Sequence, residues 1–321
     1  MTAQPRLLRV GRMTAYALAA AAISPLTLLG LASAASPVDL INAEAAKGHV
    51  TVETLRGGVS LIDGAGGNIA VLETDAGKLM VDGGIALARP HLDQALSRIG
   101  RGQPKYLIDT HWHWDHTDGN EWLHAMGAEI VAHPNTLKHL SESVLVEDWQ
   151  HTFAPIPAAA RPTELVDGAR TIAFGGETIS IQAYGPSHTD GDLSVYFRNA
   201  DVLVTGDTYW NGMYPFIDLA AGGTIDGMIR AAQLNVERAG NDTLVIPGHG
   251  PVARKRDLDE YRAMLVGIRT EVASLKASGA TLADVVAAVP TRDYDAKWGK
   301  FVIDPAFFTS LVYRSLQTPA Q

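Results

Sequence analysis

Residues 109–120 read DTHWHWDHTDGN, with three histidines and three aspartates in twelve positions directly after the apolar run YLI. A solvated polar loop would not place matched metal ligands at the end of an apolar strand, so this stretch constrains the fold more than any other. His111 and His113 are two apart and project to the same side of an extended backbone. Asp115 and His116 follow where the chain turns, and aim at a second point nearby. Four ligands divided between two points would leave each ion under-coordinated. Three further candidates stand at the ends of strand-like runs: His188 in GPSHTDGD, Asp207 in VLVTGDTYW and His249 in VIPGHGPV. The fold must gather these distant loops at one edge.

The pattern of strands and helices allows this. GVSLIDGAGGNIAVLET and KLMVDGG read as paired strands with glycine turns, and PHLDQALSRIG as a helix with apolar residues three to four apart. KYLIDT is strand-like, GNEWLHAM starts a helix and AEIVAH is again a strand. The order repeats in the second half. ETISIQAYG, LSVYFRN and DVLVTGD read as strands, TIDGMIRAAQLNVERA as a helix, and TLVIPGHG as a strand running into a loop. Residues 141–168, rich in Pro and Ala, read as an excursion between the halves, and DLDEYRAMLVGIRTEVASLKASG is the longest helix of a helical segment from about 255 to 321. Two β-rich halves with helices outside imply an α/β (α+β) chain, its sheets stacked face to face in a single domain over residues 35–321.

Composition limits the function. With 321 residues and 46% hydrophobic content the chain can bury a large core without disulfides. Cysteine is absent, so a metal site must be built from His, Asp and Glu, ligands that suit Zn²⁺, with Mn or Fe as alternatives. A formal charge of −9, with only the short basic run RKR at 254–256, argues against a nucleic-acid partner and leaves a small-molecule substrate. Arg6, Arg9 and Arg12 precede an apolar run from Ala17 to Leu31, and ASA ends at Ala34, so residues 1–34 read as a cleavable signal peptide. The run is 15 residues long and contains Ser24, Pro25 and Thr27, which is short for a membrane anchor. The expected location is periplasmic or secreted, with no stable membrane insertion once the signal is removed. No feature of the sequence indicates oligomeric state.

HxHxDH at 111–116, a histidine after a Gly-Pro turn, an Asp closing TGD and then PGHG resemble, in order, the motifs of the metallo-β-lactamase superfamily. The resemblance covers about residues 50–255. It implies an αββα sandwich with two zinc ions at its edge: one held by His111, His113 and His188, the second by Asp115, His116 and His249, with Asp207 bridging them. VDGG looks like the family's first motif, in which Asp82 supports the ligand loop from behind. In such a site a metal-bound hydroxide is the nucleophile and Asp115 orients it or accepts its proton. Hydrolysis of an ester, thioester, lactone, amide or phosphoester follows. The β-lactamases proper place Cys or Ser where Asp207 stands, so the carboxylate is more like the glyoxalase II, lactonase and phosphodiesterase branches. Export, which suits an antibiotic substrate, keeps a class B-type β-lactamase as the alternative. A non-catalytic zinc-binding protein on the same fold is the other, and seven filled ligand positions oppose it.

Around the ligands, Trp112 and Trp114 alternate with His111 and His113, which places one beneath the site and the other at its rim. TYWNGMYPF, Thr208 to Phe216, reads either as a hairpin or as a pocket wall. His133 and His139 read as structural, and His49, His91, His124 and His151 have no motif context.

Overall fold

Along the central strands, consecutive apolar residues belong to different cores, and that alternation builds the layers. Residues 36–316 are described by the computed structural model; the segment read as a signal peptide lies outside the described residues. Helix α1 (Pro37–Ala45) leads into β1 (Thr51–Thr54), β2 (Val59–Asp63), β3 (Ile69–Thr74), β4 (Gly77–Val81), α2 (Arg89–Ile99) and β5 (Pro104–Ile108). The short α3 (Trp114–Thr117) and α4 (Asn120–Ala125) precede β6 (Glu129–Ala132) and α5 (Pro134–Ser141). The excursion of 141–168 is more structured than its composition indicates: β7 (Val144–Val146) and β8 (His151–Phe153) form a hairpin, and β9 (Glu164–Leu165) joins the first sheet. That sheet has the order β1-β2-β3-β4-β5-β6-β9, antiparallel up to β4 and parallel beyond it.

The second sheet takes β10 (Ala169–Phe174), β11 (Glu177–Ala183), β12 (Leu193–Phe197), β13 (Val202–Val204) and β14 (Leu244–Ile246) in sequence order. Its last pair is parallel, because α6 (Ile225–Arg238) crosses over between β13 and β14. Helices α7 (Lys255–Ala277), α8 (Leu282–Ala288), α9 (Asp295–Trp298) and α10 (Pro305–Ser315) complete the described chain.

Leu61, Leu72, Leu79, Val81, Ile108 and Val131 of the first sheet share a core with Ile179, Ile181, Val195, Phe197, Val202, Val204 and Ile246 of the second. Their neighbours Ile62, Val71, Met80, Leu107 and Ile130 face the other way, into a core with Leu92 and Leu96 of α2 and Leu123 of α4. On the far side, Leu203 and Val245 pack with Met228 of α6, Leu258 and Leu265 of α7, and Phe308 and Leu311 of α10. The result is the expected αββα sandwich. Segments leaving β4, β5, β13 and β14, together with the turn between β11 and β12, carry all seven candidate ligands and Asp82 to one edge.

Candidate metal centre

The edge is built from the backbone outward. Asp82, directly after β4, takes a left-handed φ of 65°, a strained conformation for a residue with a side chain. Its carboxylate compensates by accepting from Thr110 N at 2.7 Å, from Thr110 Oγ1 at 2.9 Å and from His116 Nδ1 at 2.8 Å. Asp82 thereby joins the start of the ligand loop to the helix at its end. His113 caps α3 from extended backbone, and the one-turn helix swings Asp115 and His116 round to the second point.

Ligand atoms of His111, His113, His188 and Asp207 all lie within 4.8 Å of one another, and those of Asp115, His116 and His249 form a second such group. Asp207 stands between the groups. Its Oδ1 is 3.2 Å from His116 Nε2, while Oδ2 is 3.4 Å from His249 Nε2, 3.6 Å from His188 Nε2 and 3.8 Å from His111 Nε2. Asp115 Oδ2 lies 3.3 Å from His249 Nε2.

Four of the five imidazoles are aimed by their other nitrogen, His116 through Asp82 as above. His113 Nε2 donates to Asp218 Oδ2 at 3.0 Å, which leaves Nδ1 facing His188 Nε2. His188 Nδ1 donates to the Phe216 carbonyl at 2.8 Å, leaving Nε2 for the site. Thr110 Oγ1 gives its hydrogen to Asp82 and so accepts from His111 Nδ1 at 3.0 Å, which leaves His111 Nε2 as the free ligand atom. The loop carrying His188 is itself fixed by Asp192, whose Oδ2 accepts from the backbone N–H groups of His188 and Thr189.

Electrostatics match a cation. Burial disfavours charge on His116, yet Asp207, Asp115 and Asp82 outweigh it and hold the imidazole well above its usual range. His249 is pushed up to about 9: burial again opposes its charge, and Asp207 and Asp115 overcome it. Asp207 stays well below the ordinary carboxylate value despite burial, through His249, His116 and His111. Buried His111 Nε2, His116 Nε2 and Asp207 Oδ1 have no hydrogen-bond partner. Leaving such atoms unmet costs on the order of 1–3 kcal/mol each, and a divalent cation would satisfy all three. The residues present therefore fit a metal site of nitrogen and oxygen donors.

Two glycines are required by the site. A Cβ at Gly67 would collide with the His116 ring, and one at Gly248 with Asp207 Oδ1. Sequence reading missed Asp218, Asp192 and the Phe216 carbonyl, since none lies at a motif spacing and each is defined only by the imidazole or backbone it meets. Trp112 and Trp114 do not divide between floor and rim: both are buried. Trp112 packs against His113, His139 and Phe153, and Trp114 against Trp149 and Phe153, with its Nε1 donating to Asn42 of α1. The segment 208–216 is no hairpin; it begins in a 3-10 turn, bridges Trp210 to His249, and buries Tyr209, Tyr214 and Phe216. His139 bonds Asp190, and His133 caps α5, so both are structural.

The model of the metallo-beta-lactamase superfamily matches residues 62–249, more than half of the chain. The chain belongs to the metallo-beta-lactamase superfamily. A Bacillus subtilis protein named "Probable metallo-hydrolase YqgX" is 26% identical over 153 residues, 46% of this chain and 69% of that protein. The cytoplasmic hydroxyacylglutathione hydrolase of Arabidopsis thaliana is 24% identical over 150 residues, 45% of this chain and 49% of that enzyme. Among solved structures, the sec-alkylsulfatase Pisa1 from Pseudomonas sp. superposes with a TM-score of 0.65 at 16% identity, over 88% of this chain and 53% of its own. A metallo-beta-lactamase from Pontibacter korlensis gives 0.55 at 19% identity, over 68% of this chain and 99% of its own. With these relatives, the superfamily member described here is a metallo-hydrolase.

Proposed function

We propose that the chain is an exported dinuclear zinc hydrolase of small esters, thioesters, lactones, amides or phosphoesters. His111, His113 and His188 hold one ion, Asp115, His116 and His249 the other, and Asp207 bridges them. One observation carries this reading: a single carboxylate lies within 3.2–3.8 Å of four imidazoles drawn from both groups. A monodentate aspartate serving one ion has no reason to sit there. Export rests on the amino-terminal pattern alone.

Divalent cations at such a centre polarise a carbonyl or phosphoryl oxygen and bring the pKa of water toward neutrality. The protein supplies the rest. Asp218, the Phe216 carbonyl, Thr110 and Asp82 fix four of the five imidazoles, those of His113, His188, His111 and His116, so that their free nitrogens need no reorganisation. Asp115 is 3% exposed and close to His249, placed to orient an attacking water and accept its proton. Six of the seven ligand candidates are at most 3% exposed and His249 is 9% exposed, so substrate approaches past His249.

The test is elemental analysis and turnover after zinc reconstitution. About two equivalents of zinc are expected, with chelator-sensitive turnover in a panel of ester, thioester, lactone, phosphodiester, alkyl sulfate and cephalosporin. One equivalent or fewer would rule out the dinuclear site. Turnover of cephalosporin alone would install the β-lactamase reading, and no chelator-sensitive turnover at all would install the zinc-binding protein.

A further inference from the structure

The carbonyls of residues 247–251, the loop that carries His249, are all taken by two asparagines from other loops. Asn68, in the turn between β2 and β3, donates from its backbone N–H to Gly248 O at 2.8 Å, and from Nδ2 to Pro247 O at 2.9 Å and Gly250 O at 2.8 Å. Asn211, just beyond the 3-10 turn that carries Asp207, donates from its backbone N–H to His249 O and from Nδ2 to Pro251 O, both at 2.9 Å. Two residues thus meet five consecutive acceptors.

The loop needs partners of this kind. Pro247 and Pro251 have no N–H, so the run cannot form a regular ladder, and Pro247, Gly248 and His249 are buried, where an unmet carbonyl is costly. A primary amide suits the task because one nitrogen carries two hydrogens. Asn68 Nδ2 spends both on carbonyls three residues apart, and the residue is 2% exposed, so solvent does not replace it.

His249 is the candidate ligand for which this matters most. The other four imidazoles are oriented by a hydrogen bond at the second ring nitrogen. Among the described residues His249 has no such bond; its ring packs on Trp210 with centroids 4.4 Å apart. Its direction is set by the main chain that bears it and by that packing.

We propose that Asn68 and Asn211 are positioning residues, a clamp that holds His249 toward the second ion through the backbone of residues 247–251. This rests on the dinuclear reading for the ion and on the five hydrogen bonds alone for the clamp.

The experiment measures the full chain in two ways, with circular dichroism to confirm folding. Before zinc loading, hydrogen exchange follows the amides of Gly248, which bonds Gly206 O, and of Asn211, which bonds His249 O. Asn68→Ala should speed both at least ten-fold and leave those of β12 unchanged. Zinc titration against a chelating dye then follows the two binding steps, and His249→Ala identifies the step that depends on His249. Asn68→Ala should weaken that step by roughly ten-fold or more and the other by less than two-fold. Asn211→Ala, which removes one bond from a partly exposed position, should weaken it roughly three-fold, and Asn211→Gln should restore it. If Asn68→Ala does not fold, the Asn211 pair decides. Wild-type exchange, unchanged zinc binding, or an equal loss at both steps overturns the clamp. If exchange changes as expected while wild type binds one zinc or none, the dinuclear reading fails and the clamp on His249 stands. Two zinc steps in wild type that neither alanine variant alters give the opposite result.

Discussion

At the scale of single residues, the centre depends on charge placed between imidazoles. Asp207→Asn removes the negative charge that would offset the repulsion of two dications. It should lose at least one metal and most activity, while circular dichroism stays native because the cores lie elsewhere. Asp207→Cys, with a thiolate that binds zinc well, should keep one metal better than Asn does. Two tightly held metals in Asp207→Asn would show that the carboxylate is only a turn residue. Asp218 acts one step further out, through the proton of His113 Nε2 at 3.0 Å. Asp218→Ala should weaken zinc binding by roughly 10–100-fold, measured by competition with a chelating dye, without changing the ligand set. An affinity equal to wild type would show that packing alone orients His113.

Among the elements, β4 shows how a strand divides its work between its two ends. Its last residue hands over to Asp82 at the site. Near its start, the buried Lys78 donates to the carbonyls of Gly100 and Gly102 and pairs with Glu73, tying β4 to the α2–β5 connection. Lys78→Met keeps the aliphatic stem and strands those partners, so urea unfolding should show a loss of about 2–4 kcal/mol. Zinc content per folded molecule should remain at the wild-type value, since the change lies at the opposite end of the strand. Reduced zinc binding would show that the two ends are coupled. The sequence located most of these elements by period. It missed the β7–β8 hairpin and β9 because each is two or three residues long, too short for a pattern, and their strand character comes from the neighbour they pair with.

For the whole molecule, the amino-terminal arginines, apolar run and ASA predict a mature chain that starts at Ala35 or within a few residues of it. Mass spectrometry of protein from envelope fractions measures this; an intact Met1 on a membrane-bound chain would replace the signal peptide with an anchor. Among the described residues no helix is long and apolar enough to cross a membrane. Helix α1 is joined to the ligand loop through Asn42 and Trp114, so with cleavage at Ala35 the start of the mature chain would support the site.

The candidate ligands and the layer order were legible in the sequence alone. Both are local or periodic properties: HWHWDH, TGD and PGHG are short strings, and alternation along a strand assigns each residue to a face. Tertiary structure decided what those strings do to one another. It placed Asp207 among four imidazoles, supplied Asp218 to aim His113 and the Phe216 carbonyl to aim His188, buried Trp112 and Trp114 and packed Trp210 on His249. The reason is physical: a hydrogen bond or ring contact between residues roughly 100 positions apart has no period and no spacing, and exists only once burial of the two sheets has fixed where their ends meet.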